Sequence, residues 1–193
     1  MTDITGVPGV VLAGGRSRRM GTDKAFVVWQ GRMLIEHAVE RIRPQVSRLA
    51  INANGDPARY AAFGLPVLAD PWPNWPGPLA GVLAAMAWAR GFGVSRVLTV
   101  PVDAPLLPPD LVARLADRPG LVRASSGERS HPVVALWPVT LAPAIERALA
   151  AGQGRVRDVM GDAVEVTFDA CSMVNLNTPE DLAADTAPTR RSP

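Results

Sequence analysis

The sequence predicts an α/β domain built on a mostly parallel sheet flanked by helices on both faces. Three observations lead there. Strand-like apolar runs alternate with helix-like stretches from residue 10 almost to the end of a 193-residue chain. The strand runs are mainly apolar, as strands covered on both faces are. The polar residues that stand out fall just past the strand ends, where ligands sit in such sheets.

Each element follows from its local chemistry. Val10, Val11 and Leu12 form a short buried strand, released by Gly14 and Gly15 into a loop. "AFVVW" (25–29) reads as a strand and Gln30–Gly31 as a turn. "MLIEHAVERIR" (33–43) is an amphipathic helix stopped by Pro44. "RLAIN" (48–52) is a core strand. "DPARYAAFG" (56–64) is a short helix with Asp56 as N-cap, Pro57 at its first position and Gly64 at its stop. "PVLAD" (66–70) is a strand, "PLAGVLAAMAWARG" (78–91) a helix of small residues, "SRVLTVPVD" (95–103) a strand and "PPDLVARLAD" (108–117) the helix behind it. Further strands are predicted at 121–124, 133–136 and 164–168, with helices at 140–150 and 155–160. "NTPEDLAAD" opens a last helix with Thr178 as cap, Pro179 first and Asp181 third. One domain over 1–186 and a disordered tail over 187–193 are the expected organisation, since no repeat or linker interrupts the chain.

Composition narrows the function. Nearly half the residues are apolar (48%), but no run approaches the ~20 residues of a membrane span. No basic region followed by an apolar stretch opens the chain, so a cytoplasmic location is expected. The single cysteine, Cys171, excludes an internal disulfide and a cysteine-built zinc site. Twenty basic residues against 18 acidic ones give a net charge of +2, and the basic loop carries no aromatics. Neither nucleic acid nor a membrane surface is therefore the expected partner.

The loop "GGRSRRMGTDK" (14–24) nevertheless concentrates Arg16, Arg18, Arg19 and Lys24 behind two glycines, a setting for a polyanion. It is no Walker A loop, because Ala25 stands where Ser or Thr would hold magnesium. It is no dinucleotide fingerprint either, because Gly14 and Gly15 are adjacent. Asn52, Asp70 and Asp103 end or follow successive strands and converge on the same crevice.

"LAGGRSRRMGTDK" resembles the nucleotidyltransferase signature of the molybdenum cofactor guanylyltransferases. The resemblance continues through "INAN" (51–54), "PVLAD" (66–70), "GPLAGV" (77–82), "PVDAPLL" (101–107), "HPVVAL" (131–136) and "NLNTPEDL" (175–182). It implies a Rossmann-like nucleotidyltransferase fold whose N-terminal half binds nucleotide and whose C-terminal half binds molybdopterin. The implied reaction moves GMP from GTP to molybdopterin, with or without its molybdenum, and releases pyrophosphate. A molybdopterin cytidylyltransferase, another nucleotidyltransferase and a non-catalytic molybdopterin carrier are the competing readings. By resemblance Leu12, Ala13, Gly14, Lys24, Asn52, Asp70 and Asp103 are GTP positions, and Asp103 holds Mg2+. Gly15 adds a backbone amide to the triphosphate, and Arg19 with Lys24 and Asp103 forms the catalytic centre. Proteins that deliver molybdopterin or mature molybdoenzymes are implied partners.

Each candidate has a competing structural reading. Asp103 and Asp70 both suit turns before proline, and Asn52 suits an Asx turn. Gly77 and Gly81 flank a helix start that suits a phosphate of molybdopterin, or serve close packing. Asn175 and Asn177 offer the donors and acceptors a pterin edge needs, or cap the last helix. His131 is a molybdopterin ligand or a structural hydrogen-bonder. Trp72 and Trp75 stack on the pterin or pin their Pro-rich loop, and Arg155 and Arg157 meet its phosphate or line a solvated face. No Ser–His or Cys–His pair suggests a covalent nucleophile, which suits a transfer that depends on positioning and charge.

Overall fold

The computed structural model describes residues 6–14, 23–71, 77–169 and 172–183. Seven strands form one sheet. In chain order its strands are β1 (Gly9–Leu12), β4 (Leu49–Asn52), β5 (Val67–Leu68), β6 (Arg96–Pro101), β7 (Val122–Ser126), β8 (Arg129–Pro138) and β9 (Val164–Phe168). Across the sheet they run β5-β4-β1-β6-β8-β7-β9. β1 pairs in parallel with β4 and β6, β4 with β5, and β7 with β9, so among these strands β8 alone runs against the rest. The mostly parallel sheet expected from the sequence is present.

Apolar residues alternate between the two faces. Val11, Leu49 and Ile51 pack on one side with α1 (Leu34–Ile42) and α3 (Leu111–Ala116). Val10, Leu12 and Ala50 pack on the other with α2 (Pro78–Arg90), α4 (Ala142–Ala150) and α5 (Arg157–Met160). α1 buries Leu34, Ile35, Ala38, Val39 and Ile42, one stripe at helical spacing, and each large side chain removed from water contributes about 1.5–3 kcal/mol. α2 has no such stripe. It lies between sheet and α4, so it is apolar nearly all round and buries Leu79 through Met86 and Ala89.

Local departures from the sequence reading have local causes. "AFVVW" is not one strand. Asp23 accepts a hydrogen bond from the Ala25 amide (3.2 Å) and starts a 3₁₀ turn over Lys24–Phe26. The chain then forms a separate two-strand hairpin, β2 (Val28–Trp29) with β3 (Arg32–Met33), closed by Gln30 and Gly31, both at positive φ (48° and 78°). Those signs match the right-handed twist of a hairpin and favour glycine at the second position. Pro44 does not stop the chain abruptly, because it enters a 3₁₀ turn (Arg43–Gln45) that continues α1. The Asp56-capped segment is 3₁₀ over Pro57–Phe63, ended by Gly64 at φ 60°. α6 (Pro179–Ala183) starts where Thr178 predicts. The tail expected over 187–193 lies outside the described residues.

β8 carries the irregularity that matters most. On β7, Arg123 pairs with Ala135 and the next residue, Ala124, pairs with His131, leaving Pro132, Val133 and Val134 out of register. Pro132 has no amide N–H to give a ladder, which accounts for the break at this point. The Val133 carbonyl accepts instead from Thr99 Oγ1 (2.7 Å), and that hydroxyl accepts from Trp137 Nε1 (2.8 Å). This buried relay fastens β8 to β6 while the bulged residues stand away from the ladder.

Candidate active site

Strand order reverses at β1. The chain fills one side of β1 with β4 and β5, then crosses through α2 to β6 on the other side. Leu12, the last residue of β1, stands in register with Asn52 and with Pro101. The Ala13 amide donates to Asn52 O (2.8 Å) and the Val102 amide to Leu12 O (3.1 Å). The glycine loop therefore leaves the sheet at its topological switch point, where α/β sheets bind ligands. Gly14 is described; Gly15 and Arg19 lie outside the described residues, as do Trp72, Trp75 and Cys171.

On the β4–β5 side, amides and a carboxylate form a fixed cluster. Asn52, 3% exposed, donates through Nδ2 to Leu68 O (3.0 Å) and to Asp70 Oδ1 (2.9 Å). Asn54 Nδ2 donates to Asp70 Oδ2 (2.7 Å), and the Asp70 amide donates to Asn54 Oδ1 (3.0 Å). Both Asp70 oxygens are thus oriented by side-chain amides. A β-carbon at Gly14 would lie 3.4 Å from Asn54 and 3.5 Å from Asn52, so the cluster borders the start of the loop.

On the β6 side, Lys24 Nζ donates to Asp103 Oδ2 (2.6 Å) and to Asn177 Oδ1 (2.7 Å). The Lys24 and Asp103 side chains are 17% and 16% exposed. The Leu176 amide donates to Asp103 O (2.9 Å), bringing the segment before α6 onto the turn after β6. Among the described residues neither Asp103 Oδ1 nor Asn175 Oδ1, both buried, has a hydrogen-bond partner. Two bare oxygens in one neighbourhood suit a hard cation. Among the described residues no group of three or more His, Cys, Asp or Glu could hold a metal ion. The arrangement fits magnesium, which takes one or two carboxylates and completes its shell with phosphate oxygens and water.

Beyond Asp103 a cavity of about 690 Å³ opens, lined by Asp103, Asn175, His131, Arg123, Arg129 and Arg157, with bulged Pro132, Val133 and Val134 in its wall. The β8 bulge makes room for it. His131, 5% exposed, shares a 2.7 Å hydrogen bond between Nε2 and Ser126 Oγ. Burial, and then the Arg129 guanidinium, hold its pKa below the ordinary 6.5 against the opposing pull of Asp103. Arg123 is paired with Glu165 (2.9 Å).

The structure brings Lys24, Asp103, Asn175, Asn177 and His131 together, and gathers Leu12, Ala13, Gly14, Asn52 and Asp70 next to them across β1. It separates the two glycines from the cavity. Gly81 lies within α2 under Asn52, where a β-carbon would overlap Asn52 Oδ1, so α2 packs closely on β4 at this point. Gly77, at φ 146°, faces the Gly154 carbonyl, 2.9 Å from where a β-carbon would stand. Asn177 also parts from Asn175: one meets Lys24, the other lines the cavity. Asn54, Arg123 and Arg129 are additions. Asn54 and Arg129 carried a spacing signal, each two residues from a candidate, Asn52 and His131; Arg123 carried none.

Residues 9–166 match the family of MobA-like NTP transferase domains. A molybdenum cofactor guanylyltransferase of Cereibacter sphaeroides is 48% identical over 181 residues, 91% of this chain and 93% of its own. The chain belongs to the MobA-like family of molybdenum cofactor guanylyltransferases. Solved structures share this MobA-like fold. The molybdopterin-guanine dinucleotide biosynthesis protein A of Archaeoglobus fulgidus superposes with a TM-score of 0.71 at 22% identity, covering 92% of this chain and 95% of that one. A Mycobacterium tuberculosis protein, Rv0371C, solved in complex with manganese, gives 0.66 at 16% identity, covering 92% and 98%.

Proposed function

We propose that this MobA-like chain transfers GMP from GTP to molybdopterin, or to its molybdenum-bearing form, and releases pyrophosphate. The observation that carries the reading is the Lys24–Asp103 pair. It lies beside the end of β6, the strand next to β1 at the switch point, and its Asp103 lines a cavity rich in arginine. A terminal phosphate oxygen of molybdopterin bonds to the α-phosphorus of GTP as the bond to the β-phosphate oxygen breaks, and pyrophosphate carries away the electron pair. No protein nucleophile is needed, only positioning and charge.

Leu12, Ala13 and Gly14 bring main chain against the nucleotide, and Gly15 and Arg19 are further triphosphate ligands. Asn52 and Asn54 aim the Asp70 carboxylate at the base. Lys24 neutralises charge on the phosphates as it builds up. Asp103, with Asn175 beside it, holds magnesium, which when bound supplies a double positive charge on the phosphate oxygens. His131 and Asn175 offer hydrogen bonds to the pterin, and Arg129 and Arg157 balance the anionic acceptor. The N-terminal half is thus the nucleotide side and the C-terminal half the acceptor side of one domain. Among the described residues no helix is long and apolar enough to cross a membrane. We place the reaction in the cytoplasm, with molybdopterin-delivering and molybdoenzyme-maturing proteins as partners.

Incubation of the purified chain with Mg2+, molybdopterin and each of four NTPs, followed by mass measurement of the product, tests this. GTP yields the guanine dinucleotide and pyrophosphate, with ATP, UTP and CTP far behind, since each buried group left unpaired by a wrong base costs about 1–3 kcal/mol. Equal turnover of CTP would make the chain a cytidylyltransferase. Molybdopterin binding without pyrophosphate release would make it a carrier.

A further inference from the structure

We propose that Asn177 is a positioning residue for Lys24 on the nucleotide side, and that it does not contact the acceptor. The inference rests on the guanylyl transfer proposed for this site. It begins with Leu176, which is 1% exposed and whose amide is fixed to Asp103 O. With that residue anchored, its neighbours diverge. Asn175 lines the cavity, and Asn177 delivers its carbonyl oxygen to the Lys24 ammonium, 153 residues away in sequence.

An ammonium group has three N–H donors. Among the described residues, two of those on Lys24 are taken, one by the Asp103 carboxylate and one by the Asn177 amide. The two acceptors act differently on a triphosphate. Asp103 both orients Lys24 and cancels its charge. Asn177 orients it and leaves the charge intact for phosphate oxygens. Once the Asp103 carboxylate is shared with a bound cation, Asn177 is the partner that still holds the ammonium in place.

The side chain of Asn177 can be changed without disturbing the helix after it. Asp181 Oδ2 accepts from the Asn177 amide (2.8 Å) and the Thr178 amide (2.9 Å), and the Asp181 amide donates back to Thr178 Oγ1 (3.2 Å). Position 177 enters this capping arrangement only through its main chain, which alanine retains.

The test uses the full chain and a double-mutant cycle. Affinity for Mg-GTP is measured by calorimetry in the unaltered chain, Asn177→Ala, Lys24→Ala and the double variant, alongside kcat, both KM values and the melting temperature. Asn177→Ala is expected to weaken GTP about tenfold or more, as loss of a hydrogen bond to a charged group does, with acceptor KM and melting temperature unchanged. In the Lys24→Ala background the same change is expected to do nothing further to GTP affinity. A raised acceptor KM with GTP affinity intact would overturn the proposal, and so would an undiminished effect without Lys24. Should Asn177→Ala lose stability, Asn177→Asp repeats the test. It keeps an oxygen on Lys24 but adds a negative charge, so GTP weakens while acceptor KM stays; an unchanged GTP affinity would again overturn the idea. Failure of the unaltered chain to bind GTP would overturn the guanylyltransferase reading itself.

Discussion

The two oxygens of Asp103 have different surroundings. Oδ2 is held by Lys24, and Oδ1 is buried with no donor among the described residues. A buried carboxylate oxygen left without a partner costs free energy, and a bound cation relieves that cost. Asp103→Asn keeps the shape and the oxygen facing Lys24 but removes the charge. Activity at ordinary Mg2+ is expected to fall at least about 100-fold, while the melting temperature of the ligand-free protein stays near its starting value. Retained turnover would reduce Asp103 to a turn former. At this scale the sequence was informative where chemistry is local. Lys24 closes a charged loop and Asp103 follows an apolar strand, so both were legible. The partnership of Lys24 with Asn177 was not, because nothing near either residue encodes a contact made across the chain. The same holds for Gly81 on α2, whose reason is the Asn52 side chain at the end of β4.

At the scale of elements, α2 is placed by that one close approach. Gly81→Ala would press a methyl group against Asn52 Oδ1, well inside contact distance, with Asn52 Cγ at 3.1 Å and Leu12 at 3.3 Å. Asn52 cannot withdraw freely, since its Nδ2 is tied to Leu68 and Asp70. The substitution is expected to destabilise the fold by about 1–3 kcal/mol in denaturant titration, and to weaken GTP more than the acceptor. Equal losses for both substrates would mean that α2 shifted as a body. The parallel half of the sheet, β1 with β4, β5 and β6, was readable because each apolar run there is followed by a helix. The hairpin β2–β3 was not, because an apolar run of five residues carries no sign of the Asp23 turn that divides it. The β8 bulge was half readable: Pro132 marks a break in a strand, but the residues it frees are told only by the pairing partner.

For the whole molecule, acid should loosen the fold in two stages. His131 has a folded-state pKa below its ordinary 6.5, chiefly through burial. As pH falls past 6.5 the unfolded chain therefore takes up a proton that the native chain refuses, and stability drops until the native value is passed. Asp181 is held below the ordinary carboxylate range by the Asn177 and Thr178 amides, so its contribution persists to lower pH and is lost as pH falls through the depressed value. Melting temperature of the ligand-free protein is expected to decline between pH 7.5 and 5, and His131→Asn to flatten that decline. An unchanged slope in the variant would assign the titration elsewhere.

The docking of Leu176 and Asn177 onto the Asp103 turn also bears on how the molecule is made. A ribosome produces the glycine loop and Lys24, and then β4 and β6 after β1, before the segment around residue 176 emerges. Lys24 gains its neutral partner only when that late segment folds back. The Lys24–Asp103–Asn177 arrangement is thus complete only once residues 176 and 177 have been made and have folded back onto the turn after β6.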